Sequence, residues 1–180
     1  MKEITLTGST ASKIRRAVEE GEIVLFTSDY GCVDCEEFEE ELEREGLNWI
    51  IDYKVIVTHD DESIIEAFNM NVDSIPVIFY LNEKIDGSID KLKERFNSLI
   101  EFRDELQRRF SEYAEKLSSK IGLKVKLNMD TLSIIAKSGW KKGKITCPCR
   151  IVETSCPCPY VEDELKKNSR CLCKLFIVEK

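Results

Sequence analysis

Six of the eight cysteines fall between Cys147 and Cys173, as three Cys-x-Cys pairs: Cys147-Pro148-Cys149, Cys156-Pro157-Cys158 and Cys171-Leu172-Cys173. Cysteines this close rarely bond each other, because a disulfide needs Cα atoms roughly 4.4–6.8 Å apart with converging Cβ atoms. Their thiolates can instead point at a common centre. A tetrahedral zinc or a cubane iron–sulfur cluster takes four sulfurs, so six leave two over. The arithmetic is one metal centre and one redox pair.

Compartment decides how such cysteines are used. The opening Met1-Lys2-Glu3-Ile4-Thr5 has no basic segment followed by an apolar stretch, so no secretory signal is expected. No run approaches the roughly 20 apolar residues of a membrane span. A cytoplasmic chain is therefore expected, in which clustered cysteines bind metal or do redox work rather than staple the fold.

The 180 residues suffice for one generous core or two small ones. Charge favours two. Residues 1–90 carry 7 Lys and Arg against 22 Asp and Glu, whereas residues 91–180 carry 20 against 12. That change from −15 to +8 argues for two units with different partners, although a solvated, salt-bridged surface would also use many of these charges.

The first half alternates strands and helices. Ile4 and Leu6 mark a short strand, and Ser9/Thr10 are expected to cap a helix carrying Ile14, Ala17 and Val18 as far as Gly21. Ile23-Val24-Leu25-Phe26 reads as a strand buried on both faces. An acidic helix with Phe38 and Leu42 inward follows Cys32-Val33-Asp34-Cys35, then a strand at Tyr53–Val57 and a helix near Glu62–Phe68. Ile75-Pro76 opens a further strand to Tyr80, and Lys84-Ile85-Asp86 precedes Gly87 and a long helix. This order predicts an α/β domain with a central sheet.

Cys32-x-x-Cys35 at a strand-to-helix junction has a mechanical rationale. Its first sulfur sits near unpaired helix N–H groups, which favour thiolate, and its second lies about one turn on, in reach of a mixed disulfide. The acidic residues after Cys35 oppose strong acidification of Cys32. The rival is half a zinc site, but this half has no second pair, and His59 lies in a different segment. Residues 1–90 resemble the thioredoxin/glutaredoxin family, with Cys32-Val33-Asp34-Cys35 at the active-site position and Ile75-Pro76 at the cis-proline loop. The resemblance implies that Cys32 is the exposed nucleophile, Cys35 the resolving thiol and Pro76 a contact for the substrate backbone. Val33-Asp34 departs from the family's usual intervening dipeptides.

Ser88 to Ile121 contains no glycine or proline, and Leu92, Phe96, Leu99, Leu106, Phe110, Tyr113, Leu117 and Ile121 recur at helical spacing. A break is expected near Asn97-Ser98, with domains at 1–97 and 98–180. Intramolecular packing is preferred to a coiled-coil dimer, since two domains need that apolar face. Trp49 and Trp140 are read as core, and His59 as a surface residue. Beyond Gly122, Leu123, Val125 and Leu127 alternate. Asn128 or Asp130 caps a helix with Leu132, Ile134 and Ile135 that is expected to stop at Gly139.

Three of the four prolines stiffen the cysteine loops. Residues from about 105 to 180 resemble the mostly α-helical catalytic subunit of ferredoxin:thioredoxin reductase, on the signature Cys147-Pro148-Cys149-Arg150, Cys156-Pro157-Cys158 and Cys171-Leu172-Cys173. The resemblance implies a [4Fe–4S] cluster on Cys147, Cys156, Cys158 and Cys171, beside a disulfide between Cys149 and the substrate-attacking Cys173. The gaps between pairs differ from the chloroplast enzymes. Leu172 stands where those carry a histidine, so that proton route is absent or supplied by another group.

Ferredoxin is the implied electron donor, and the positive second half suits an acidic one. The Cys32–Cys35 disulfide then becomes the built-in substrate of the Cys149–Cys173 pair, ahead of outside protein disulfides, with tethering raising its effective concentration. Two rivals remain: a structural zinc module beside a redox domain, and a cluster acting as relay or sensor without disulfide exchange. Nucleic-acid binding is not expected, because the lysines at 141–144 lack interleaved aromatics beyond Trp140.

Overall fold

The computed structural model describes residues 1–150 and 152–179, which divide into two compact units, Met1–Arg95 and Phe96–Lys180. The first unit runs β1 (Lys2–Thr5), α1 (Gly8–Glu19), β2 (Val24–Ser28), α2 (Val33–Arg44), β3 (Tyr53–Val57), α3 (Asp61–Asn69), β4 (Val77–Tyr80) and β5 (Glu83–Asp86). Its single sheet has the order β1-β3-β2-β4-β5. The first three are parallel, and β4 and β5 join antiparallel. This is the thioredoxin-like α/β arrangement that the cysteine and proline motifs imply. β2 lies inside the sheet, which is why Val24 to Thr27 are all buried.

Details differ from the sequence expectation. Helix α1 is capped by Thr7, two residues before Ser9, because the Thr10 hydroxyl accepts the Thr7 N–H at 2.9 Å in a capping-box arrangement. Trp49 and Trp140 are half-buried rather than core.

Helix α4 (Ile89–Ile121) is one hydrogen-bonded run with a non-helical residue at Phe96 (φ −112°, ψ 18°), one position before the expected break. In the second unit it is followed by β6 (Val125–Leu127), α5 (Met129–Lys142), α6 (Val161–Asn168) and β7 (Phe176–Val178). Asn128 caps α5, its side chain accepting the Thr131 N–H at 3.1 Å. The helix does not stop at Gly139 but continues to Gly143, which takes the left-handed conformation (φ 68°) that ends it. Gly139 is a packing position: a Cβ there would stand 3.2 Å from the Phe102 ring. Of the apolar trio on α5, Leu132 and Ile135 are buried, but Ile134 is 61% exposed.

β7 pairs antiparallel with β6, Val125 opposite Val178, and so ties the last strand of the described residues to a much earlier segment. Leu106, Phe110, Leu117, Leu132, Leu165 and Phe176 form the core of this unit, and all six tail cysteines pack in or against it. No helix among the described residues is long and apolar enough to cross a membrane.

Candidate redox and metal-binding site

In the first unit, β2 delivers the chain through a short turn to Cys32, the N-cap of α2. Cys32 and Cys35 form a disulfide. The Cys35 N–H is shared between the Cys32 carbonyl oxygen at 3.1 Å and Cys32 Sγ at 3.2 Å, so a donor of the first helical turn already faces the first sulfur. Cys32 is partly accessible, whereas Cys35 is buried. An incoming thiolate therefore meets Cys32 first.

The Ile75–Pro76 peptide is cis. Phe26 on β2 lies opposite Val77 on β4, and the two strands are antiparallel, so Pro76 and the Cys32 loop emerge at the same end of the sheet. His59 is exposed, and its Nε2 lies 3.0 Å from the Tyr30 carbonyl oxygen, in the turn before Cys32.

One polar group was not anticipated. The fully buried Thr27 hydroxyl donates to Glu39 at 3.0 Å, and Lys54 Nζ meets the other oxygen of that carboxylate at 2.5 Å. Glu39 sits four residues after Cys35, on the same side of α2. Thr27 and Lys54 lie on the adjacent strands β2 and β3, and Glu39 reaches both from α2.

In the second unit the sulfurs converge. Cys147, Cys149 and Cys173 have Sγ atoms all within 4.8 Å of one another, with Cys147 and Cys149 at 3.0 Å. Cys171 and Cys173 Sγ lie 3.6 Å apart. All six tail cysteines are free thiols, including the Cys149 and Cys173 expected to pair. The tight trio thus joins one expected ligand to both expected redox partners. Cys147, Cys158 and Cys171 are buried; Cys149, Cys156 and Cys173 are partly exposed.

One backbone and one side-chain donor fix the third pair. Cys171 Sγ accepts the Phe176 N–H at 3.2 Å, and Thr131 Oγ1 donates to the Cys173 carbonyl at 3.4 Å. The bond from Cys173 and the nearby backbone N–H groups hold the Cys171 thiol down, to about 6, against the cost of its burial. The proton of that pair stays on Cys173, whose thiol is pushed well up by Cys171 and by burial. Burial pushes Cys156 up to about 12, with the charges of Cys147, Cys171, Cys158 and Cys149 adding to it. Burial also raises Cys147.

Arg150 and Glu164 complete the site, and neither carried a role in the sequence reading. Arg150 Nη2 lies 3.8 Å from Cys158 Sγ and pairs with Glu164, while its guanidinium stacks 4.7 Å from the Tyr160 ring centre. Glu164 also accepts the Leu172 N–H at 2.8 Å. The signal for Arg150 was its place directly after Cys149. Glu164 gave none, because α6 was not anticipated.

The donor set suits a soft metal centre, since the thiols of Cys147, Cys149 and Cys173 gather within 4.8 Å and those of Cys147, Cys149, Cys158 and Cys171 lie near enough to Cys156 for their charges to act on it. The buried Arg150 Nε has no hydrogen-bond acceptor among the described residues, an unmet donor that an anionic sulfur group would satisfy. A [4Fe–4S] cluster, with sulfide and thiolate sulfur, fits that requirement.

No protein-family model matches the chain, and no curated protein does. Several solved structures align with part of it, among them the following two. Oxidised glutaredoxin 2 from Chlamydomonas reinhardtii is 14% identical, with 50% of this chain and 92% of that one covered at a TM-score of 0.36. Thioredoxin f2 from the same alga is also 14% identical, with 53% and 94% covered at 0.37.

Proposed function

We propose that the protein is a disulfide reductase in which the second unit receives single electrons and delivers dithiol to the first. The observation that carries this reading is the sulfur arrangement: Cys147, Cys149 and Cys173 within 4.8 Å of one another, with Cys149 and Cys173 only partly buried. Cys147, Cys156, Cys158 and Cys171 would hold a [4Fe–4S] cluster. That group, when bound, accepts electrons one at a time from a ferredoxin in a cytoplasmic setting.

Two electrons and two protons convert a Cys149–Cys173 disulfide into its dithiol. Cys173 then attacks the accessible Cys32 sulfur of the Cys32–Cys35 disulfide, and Cys35 leaves as thiolate. Cys149 attacks Cys173 in turn, releasing Cys32 and restoring the Cys149–Cys173 disulfide. The Cys35 N–H stabilises charge on the Cys32 sulfur as it departs. Reduced Cys32 next attacks a protein disulfide, with Pro76 at the same end of the sheet to meet the substrate backbone, and Cys35 resolves the product.

The trio of Cys147, Cys149 and Cys173 favours a second reading, a three-thiolate zinc site. Zinc held there would sequester the dithiol and block exchange. Anaerobic protein should contain about four irons with matching acid-labile sulfide and little zinc. About one zinc and no iron would replace the cluster reading with the zinc one.

A further inference from the structure

The three Cys-x-Cys pairs are joined by one ion pair. Arg150 follows Cys149 directly and reaches Cys158 of the second pair at 3.8 Å. Its partner Glu164 holds the backbone N–H of Leu172, the residue between Cys171 and Cys173, at 2.8 Å. Both side chains are largely buried, with 23% and 18% of their surfaces exposed. A guanidinium suits this place better than an ammonium. It stays charged when desolvated, its plane rests on Tyr160, and its Nη2 meets both the Glu164 carboxylate and the Cys158 sulfur.

We infer that Arg150 is the built-in counter-cation of the cysteine site, and that Glu164 both attenuates that charge and fixes the Cys171–Cys173 loop. The inference rests on the cluster reading above. Taking up one electron without a proton adds one negative charge to the centre, and a nearby fixed cation makes that uptake easier. A neighbouring carboxylate makes it harder. Arg150 and Glu164 are therefore positioning residues with opposite electrostatic effects, although they share one contact. A purely structural pair would show the same sign of damage when either member is lost.

The test uses full-length protein purified without oxygen, as wild type, Arg150→Met, Arg150→Lys and Glu164→Gln. Iron and sulfide are counted first, and the one-electron midpoint potential is then measured by spectroscopic titration. Arg150→Met should lower the reduction equilibrium constant about tenfold, a fall of about 59 mV. Glu164→Gln, which can still accept the Leu172 N–H, should raise the potential, and Arg150→Lys should stay nearer wild type than Arg150→Met. Potentials of Arg150→Met and Glu164→Gln that shift in the same direction, or do not move, would overturn the inference. If Arg150→Met takes up no iron, Glu164→Gln decides alone: a rise supports the counter-cation role, and a fall or no change defeats it. A wild type without iron overturns the cluster reading itself and this inference with it, an outcome visible before any variant is compared.

Discussion

Gly87 and Pro76 lie so close that a Cβ on Gly87 would stand 2.4 Å from the Pro76 carbonyl oxygen, which the Gly87 N–H meets at 3.1 Å. The glycine between β5 and α4 thus clears the space for the proline loop beside the redox disulfide.

Gly87→Ala should push that loop outward. The expected cost is about 1–3 kcal/mol from overpacking, seen as a lower urea midpoint. Reduction of an external protein disulfide should slow more than reduction of a small aromatic disulfide, which needs no backbone contact at Pro76. Equal slowing of both would leave Pro76 without a substrate role.

Cys35→Ser should accumulate a mixed disulfide through Cys32 when challenged with an oxidised protein, because the resolving thiol is gone and Cys32 is the accessible sulfur. Cys32→Ser should trap far less. Non-reducing gels and mass spectrometry of the adduct read this directly. Adducts formed equally through Cys35 would reverse the assigned roles.

The first unit could be read from its sequence because its signals are local. Ile23 to Phe26 is a continuous apolar run, and Val24 to Phe26 lie in a strand inside the sheet. Cys-x-x-Cys fell at a strand-to-helix junction, as its spacing required. The second unit hid more. Gly139 carries the usual helix-stop signal but serves Phe102 packing instead. β7 has three residues and exists by pairing with β6, so no local window contained it. α6 is short, highly charged and flanked by cysteine loops, which concealed it. The Arg150–Glu164 pair and the Thr27–Glu39–Lys54 group are tertiary contacts, so spacing could not show them.

Phe110→Ala should destabilise the second unit by about 3–5 kcal/mol. Phe110 is buried, and its ring meets Phe176 edge-on at 6.0 Å. Phe176 in turn offers its N–H to Cys171. Denaturant melts followed by Trp140 fluorescence should show the loss, with metal retention falling alongside. Intact metal retention at reduced stability would uncouple the core from the site.

Metal uptake by the reduced, metal-free chain should strengthen as pH rises. Cys147 and Cys156 are raised, so at neutral pH they hold protons that must leave before sulfur can bind metal. Cys171 is held down to about 6 and gives up its proton first. Each thiol still protonated should add about one log unit of affinity per pH unit. Titration with cobalt(II) from pH 6 to 9, read by its thiolate charge-transfer band, checks this. A flat profile would mean that the thiols are already ionised.

The most direct measurement follows electrons through the sulfurs. Oxygen-free, fully oxidised protein receives a one-electron ferredoxin-type reductant. Alkylation and peptide mass spectrometry then report the state of each cysteine. Wild type should label both Cys32 and Cys35, whereas Cys173→Ser should leave that pair oxidised over the same interval and Cys149→Ser should label Cys35 alone, with Cys32 held in a mixed disulfide to Cys173. Labelling of Cys32 and Cys35 at equal rates in all three proteins would contradict the relay.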